Sequence, residues 1–157
     1  METTAPVALK KVAEITLIFW IMKICATTLG ETAGDMLSMT FNVGYGVSSI
    51  ILIGFFIISL IAQLTAKRYN PILYWLVILT TSTAGTTMSD YMDRSLGLGY
   101  ALGATILVVL LISMLTIWWL SERSLSVTDI RTFRPEMFYW ITILISNTLG
   151  TALGDYL

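Results

Sequence analysis

The stretch WLVILTTSTAGTTMSD, from Trp75 to Asp90, decides the fold, because its pattern occurs again before it and after it. Sliding the chain along itself aligns Trp20, Trp75 and Trp140, each preceded by an aromatic residue, Phe19, Tyr74 or Tyr139. Eight residues beyond each tryptophan stands a threonine, Thr28, Thr83 or Thr148. Two further on comes a glycine, Gly30, Gly85 or Gly150, and five after that an aspartate, Asp35, Asp90 or Asp155. Four identities held in register three times mark an internal repeat, with copies at about 14–66 and 72–120 and an incomplete third at about 136–157.

Composition says where the repeat resides. The chain has 157 residues, 56% hydrophobic and 12% charged, with a mean hydropathy of +0.81. It is too apolar and too sparsely charged for a soluble domain of this length. A net charge of -1 gives no basic face for nucleic acid. A single cysteine, Cys25, cannot form an intrachain disulfide, and the absence of histidine leaves no zinc site. No cofactor motif is present, and neither G-x-S-x-G nor a metal-ligand set argues for an enzyme.

Hydropathy predicts an all-α polytopic bundle with five spans, at about 15–37, 43–65, 72–92, 98–120 and from near Glu136 onward. Each has roughly 20 residues, enough at about 1.5 Å of rise per residue to cross a hydrocarbon core of about 30 Å. Tight turns are expected at Ser38 to Asn42 and around Asp93, Arg94, Gly97 and Gly99. Lys67 to Pro71 breaks the helical ladder, and Ser121 to Pro135 forms the one long polar loop.

Positive charge sets the orientation. Lys10, Lys11, Lys67, Arg68, Arg123, Arg131 and Arg134 fall on one side, against Arg94 alone on the other. Lysine and arginine stay in the cytoplasm, which puts the N-terminus inside, the C-terminus outside and all three motif helices running outward. Two spans per repeat make successive copies parallel, related by rotation about the membrane normal. The second helix repeats as well, since Gly44-Tyr45 and Gly99-Tyr100 both lie nine residues beyond their aspartates.

At 100° per residue, the residues seven and four before each aspartate fall within about 40° of it. One narrow face is therefore polar: Thr28, Glu31 and Asp35, then Thr83, Thr86 and Asp90, then Thr148, Thr151 and Asp155. A neighbouring stripe is small-xxx-small, with Gly30 and Gly34, Gly85 and Ser89, and Gly150 and Gly154, a pattern that lets helices approach closely in lipid. The expected picture is three helices packed on these stripes, directing carboxylates and hydroxyls into a shared cavity that opens outward. Threonine in a membrane helix also commonly bonds its own backbone, and a helix-ending aspartate can be merely solvated. Repetition in register favours the cavity.

Two residues break the symmetry. Glu31 stands where the other repeats have Thr86 and Thr151, and Lys23 stands where they have Ile78 and Ile143. Lys23 lies about 12 Å below Glu31 along the helix, so the two pair only through another helix or water. The alternative is that Lys23 is the counter-ion for acidic residues of another repeat. Met22, Met36, Met39, Met88 and Met92 read as apolar filling rather than soft-metal ligands.

Lys11-Val12-x-Glu14-x-Thr16, Phe19-Trp20-Ile21-x-Lys23-Ile24 and Thr27-Thr28-Leu29-Gly30-Glu31-Thr32-x-Gly34-Asp35, with Leu149-Gly150-Thr151-Ala152-Leu153-Gly154-Asp155, carry a family resemblance. The sequence resembles an uncharacterised family of prokaryotic membrane proteins built from a two-helix repeat of unknown function. The resemblance spans essentially the whole chain and implies a polytopic inner-membrane protein, loosely permease-like, with four copies of the repeat. Here the third motif is the last, which implies a fragment or a dependence on another subunit, such as a second copy. No substrate comes with the resemblance.

Two functional classes follow. One is a transporter or channel-like protein for a small cation or proton-coupled solute, with Asp35, Asp90, Asp155 and Glu31 as charge sites and the threonines as neutral oxygen ligands. The other is a non-transporting scaffold in the lipid bilayer whose glycine stripes bind other helices. Asp90 is the expected centre of a transport site, having hydroxyl neighbours and no fixed positive partner in its own helix.

Overall fold

The computed structural model describes residues 10–157. They form five α-helices, α1 (Leu17–Asp35), α2 (Tyr45–Thr65), α3 (Pro71–Asp90), α4 (Tyr100–Glu122) and α5 (Phe133–Tyr156), and no strand occurs among the described residues. The Thr16 hydroxyl accepts from the Phe19 amide and opens α1. Asn70 caps α3 by accepting from the amides of Ile72 and Leu73. Pro71 follows in the first turn, where its missing donor costs nothing, so the proline expected to break the ladder starts α3, and α2 has already ended at Thr65.

Neither α1 nor α3 stops at its aspartate. Each continues for five residues, Met36–Thr40 and Tyr91–Ser95, as a π-helical turn. The amides of Phe41 and Leu96 close these wide turns on the carbonyls of Met36 and Tyr91, both at 2.9 Å. The sequence-based expectation of a tight turn beginning at Ser38 and at Asp93 is therefore corrected: both residues still lie on helix. The chain reverses instead at Gly44 (φ +84°, ψ 152°) and Gly99 (φ +74°, ψ 154°), a backbone region that is essentially glycine-only. That requirement is why the Gly-Tyr pair recurs.

Helix α3 occupies the centre. It has α1 on one side and α5 on the other, and its residues from Thr81 to Asp90 are buried except Met88. Neither α2 nor α4 packs mainly on the helix before it: α2 lies against α3 and α4 against α5. Helix α2 is seated in the groove between α3 and α5, where the Ser59 and Thr80 hydroxyls bond at 2.9 Å and Gln63 Nε2 donates to Glu136 Oε1 at 3.0 Å. The equivalent groove between α1 and α3 is open, with Cys25 at the place of Thr80 and Pro71 at that of Glu136. Extensive packing between α1 and α5 is likewise absent, which leaves a cleft between them.

Helices α2, α4 and α5 are long and apolar enough to cross a membrane. Helices α1 and α3 fall short on composition, α1 through Lys23, Glu31 and Asp35 and α3 through its run of hydroxyls between Thr80 and Ser89. For α3 the polarity is hidden among its neighbours, whereas α1 turns Leu17, Ile18, Ile21 and Ile24 outward. An integral membrane protein accounts for this distribution: apolar side chains outside, hydroxyls inside.

At the end opposite the aspartates, Lys11, Gln63 and Glu136 form a buried polar knot. Lys11 Nζ lies 2.5 Å from Glu136 Oε2 and donates to the Leu64 carbonyl at 3.0 Å. Gln63 Nε2 donates to the Lys11 carbonyl at 3.1 Å as well as to Glu136. Backbone bonds from Lys11 N to Ile130 O and from Tyr69 N to Lys10 O, both 3.0 Å, fasten the same segment.

Candidate functional site: an acidic cavity on the repeat axis

Equivalent residues of two repeats bond to each other in two places. The Tyr74 and Tyr139 hydroxyls are 2.6 Å apart, and the Thr86 and Thr151 hydroxyls 3.2 Å apart. In a rotational arrangement, equivalent atoms meet only close to the axis. The axis therefore runs past the layer of Phe19, Tyr74 and Tyr139 and, three helical turns higher, the layer of Glu31, Thr86 and Thr151. The aspartates form the next layer.

The glycine stripes bring the helices to that axis in a directional way. A Cβ on Gly30 would lie 2.6 Å from Ser82 Cβ, and one on Gly34 would lie 3.2 Å from the Thr83 carbonyl, so the stripe of α1 packs on α3. One on Gly85 would lie 3.0 Å from the Thr148 amide, so the stripe of α3 packs on α5. Gly150 and Gly154 have nothing within 4 Å of such an atom, and the stripe of α5 is unpacked. Ser89 is buried, with its hydroxyl 3.5 Å from Asp93 Oδ2.

Packing places Glu31, Asp35, Thr86, Asp90, Thr151 and Asp155 around one cavity of about 300 Å³, together with Met39, Arg94, Gly150 and Gly154. Six of the ten residues expected at a site thus share a space. The other four do not line it. Thr83 and Thr148 donate to the carbonyls of Leu79 (2.7 Å) and Leu144 (2.9 Å) and form the surface on which the preceding helix's glycine sits. Thr28, their equivalent, is exposed on α1, where no preceding helix covers it. Lys23 lines a separate cavity nearer the Lys11 end and is no counter-ion to the aspartates.

Their counter-ion is Arg94. Its Nε is 3.0 Å from Asp90 Oδ1 and its terminal nitrogen 3.2 Å from Asp155 Oδ2, while the other terminal nitrogen donates to the Tyr45 hydroxyl at 3.2 Å. The Asp90 contact is an ion pair without hydrogen-bond alignment, since Oδ1 accepts from no donor. The expectation that Asp90 has no positive partner in its own helix is corrected here. The π-turn keeps Arg94 on a helical continuation, one turn beyond Asp90, instead of releasing it into a loop. Asp93 is buried against Gly103, where any Cβ would collide with its carboxylate. Burial pushes the Asp93 carboxyl above the usual aspartate range, against the opposing effect of the Ser89 hydroxyl.

Glu31 and Asp35 have no ion-pair partner among the described residues. The cavity thus carries four carboxylates and one guanidinium. No three carboxylates are close enough together to hold a metal ion among the described residues. The arrangement suits a proton or a hydrated cation better than a dehydrated ion, which needs several oxygens at contact distance.

Residues 18–69 and 73–124 each match a protein family described as Repeat of Unknown Function (DUF347). The chain belongs to this family. Each DUF347 match takes in one motif helix and its companion, α1 with α2 and α3 with α4. No curated protein and no solved structure matches the chain. The DUF347 assignment brings a repeat and no chemistry, so the functional reading rests on the cavity.

Proposed function

We propose that the acidic cavity binds and releases a small cation or a proton, and that the protein is a transporter or channel-like protein using it as a charge site. One observation carries the reading: the repeated aspartates of all three motif helices, with Glu31, surround a single cavity that holds only one positive side chain. Intramembrane carboxylates are expensive in lipid, at about 2.5–3.5 kcal/mol each on the insertion scale, and they concentrate on ion and proton paths. Arg94 neutralises part of this charge and leaves the remainder for a mobile cation.

The test is flux in liposomes containing the purified protein, driven by a proton or monovalent-cation gradient. Asp90→Asn should insert and fold yet lose gradient-dependent flux. Asp129→Asn, on the exposed loop before α5 and paired with Arg131, should keep it. Equal flux in the two variants would remove Asp90 from the pathway, and no flux from folded unmodified protein would count against transport.

A scaffold is the second reading, favoured by the unpacked stripe of Gly150 and Gly154. Under that reading Gly154→Leu abolishes co-purification of a partner and the aspartates are dispensable. Transport predicts instead that the aspartates are indispensable and that Gly154→Leu, at a residue lining the cavity, impairs flux without any partner being involved.

A further inference from the structure

Lys23 is the one basic residue inside the five helices' apolar stretches, and its surroundings differ from those of every other cation with a carboxylate nearby. It lines a cavity of about 330 Å³ in the cleft between α1 and α5. Ala13, Ile15 and Val127 border that cavity, so it reaches the Lys11 end of the bundle. Among the described residues Lys23 has neither an ion pair nor a side-chain hydrogen bond. Of the described carboxylates at this end, Glu14 is engaged by Lys10, Glu136 by Lys11 and Asp129 by Arg131, and Glu122, at the end of α4, does not line the cavity. Lys23 also sits near the repeat axis, since its equivalents are Ile78, fully buried, and Ile143, which lines the same cavity. An ammonium group at that depth without a counter-charge is unfavourable.

We propose that this cavity binds an anionic group, phosphate or carboxylate, carried on an apolar body, with Lys23 as its counter-ion. The walls match both halves of such a molecule. Phe19, Trp20 and Ile143 offer an apolar surface, and Ser146 and Asn147 on α5 line the same cavity as Lys23, with the Asn147 amide nitrogen donating to the Thr81 hydroxyl at 3.2 Å. The cavity lies between two helices that do not pack extensively on each other and reaches one end of the bundle, and the two candidate ligands of this chemistry are an anionic lipid and a free amphipathic carboxylate. The site stands apart from the acidic cavity and does not depend on the cation reading.

The experiment uses the full chain purified in a neutral detergent. Native mass spectrometry scores retention of phosphatidylglycerol against phosphatidylcholine, and calorimetry scores octanoate binding. One-to-one retention of phosphatidylglycerol over phosphatidylcholine identifies a lipid phosphate. Saturable octanoate binding that phosphatidylglycerol does not displace identifies a free carboxylate. In either case Lys23→Gln should weaken binding about tenfold or more, as for loss of a charged hydrogen-bond donor, while Lys23→Arg and Asp90→Asn stay within about threefold of the unmodified protein. If Lys23→Gln does not fold, Asn147→Leu, which keeps the amine and narrows the cavity, should show the loss instead. Folded protein that binds neither probe overturns the proposal. So does a folded Lys23→Gln, or failing that a folded Asn147→Leu, that binds as well as the parent.

Discussion

Arg94 is the residue on which the acidic cavity depends, and the first repeat has no counterpart to it. Met39 holds the corresponding place in the first, beyond Asp35. Because Arg94 touches both Asp90 and Asp155, it is a tethered cation in the place a mobile one would take. Arg94→Gln should therefore do two things at once. It should lower thermal stability by about 1–3 kcal/mol, since Asp90 is buried and loses its partner at a site otherwise half open to solvent. It should also make stability depend more steeply on added cation than in the parent, which a melting series in sodium, potassium and magnesium chloride would read. A variant that melts lower but responds to salt as the parent does would leave Arg94 a purely structural residue. The repeated aspartates and Glu31 were legible in the sequence because helical periodicity alone puts them on one face. Their counter-ion was not, because Asp93 and Arg94 read as a turn and nothing local signals a π-turn. The threonines Thr83 and Thr148 misled for a different reason. Their side chains share the aspartates' face, but that face is wide enough to include the surface on which the neighbouring glycines pack.

At the scale of elements, α1 presents its glycines to α3 and α3 presents Gly85 to α5, while the stripe of α5 meets nothing. Gly85→Leu should therefore push α3 from α5, where the nearest atom is the Thr148 backbone amide and cannot move aside. Gly150→Leu and Gly54→Leu enter open space and should be tolerated within the single chain. Overpacking typically costs about 1–3 kcal/mol, and more where the obstacle is backbone, so folded yield after detergent extraction should separate Gly85→Leu from the other two. Similar yields from all three would argue against glycine-mediated packing of α3 on α5. The five helices could be read from hydropathy, but which of them are neighbours could not. The docking of α2 away from α1 is marked by Ser59 meeting Thr80 of α3 and Gln63 meeting Glu136 of α5, contacts between residues with no sequence signature of their own.

Considered whole, the molecule has an acidic end and a basic end, with Asp35, Asp90 and Asp155 at one and Lys67, Arg68, Arg131 and Arg134 at the other. The distribution of lysine and arginine predicts that the acidic end faces away from the cytoplasm. A reporter active only outside should work when fused after Leu157 and stay silent in the loop between Ser121 and Pro135. The opposite pattern would turn the acidic cavity toward the cytoplasm. Lys11 needs separate treatment in this count: its side chain is spent on Glu136 inside the fold and contributes to surface charge only before the bundle closes.

That last point has a temporal side. Lys11 leaves the ribosome 125 residues before Glu136, so throughout insertion of the first four helices its ammonium, and the amide of Gln63, lack the partner that satisfies them. The early helices are thus assembled in a provisional state, and the arrival of α5 completes it. A chain stopped after Glu122 should be degraded rapidly in cells, and pulse-chase labelling should show its half-life lengthened by Lys11→Met, which relieves the waiting charge. In the complete chain the same substitution should be harmful, by about 3–5 kcal/mol, because it strands Glu136. A substitution that shortens the life of the finished protein while prolonging that of its unfinished precursor would identify the knot as a checkpoint on synthesis.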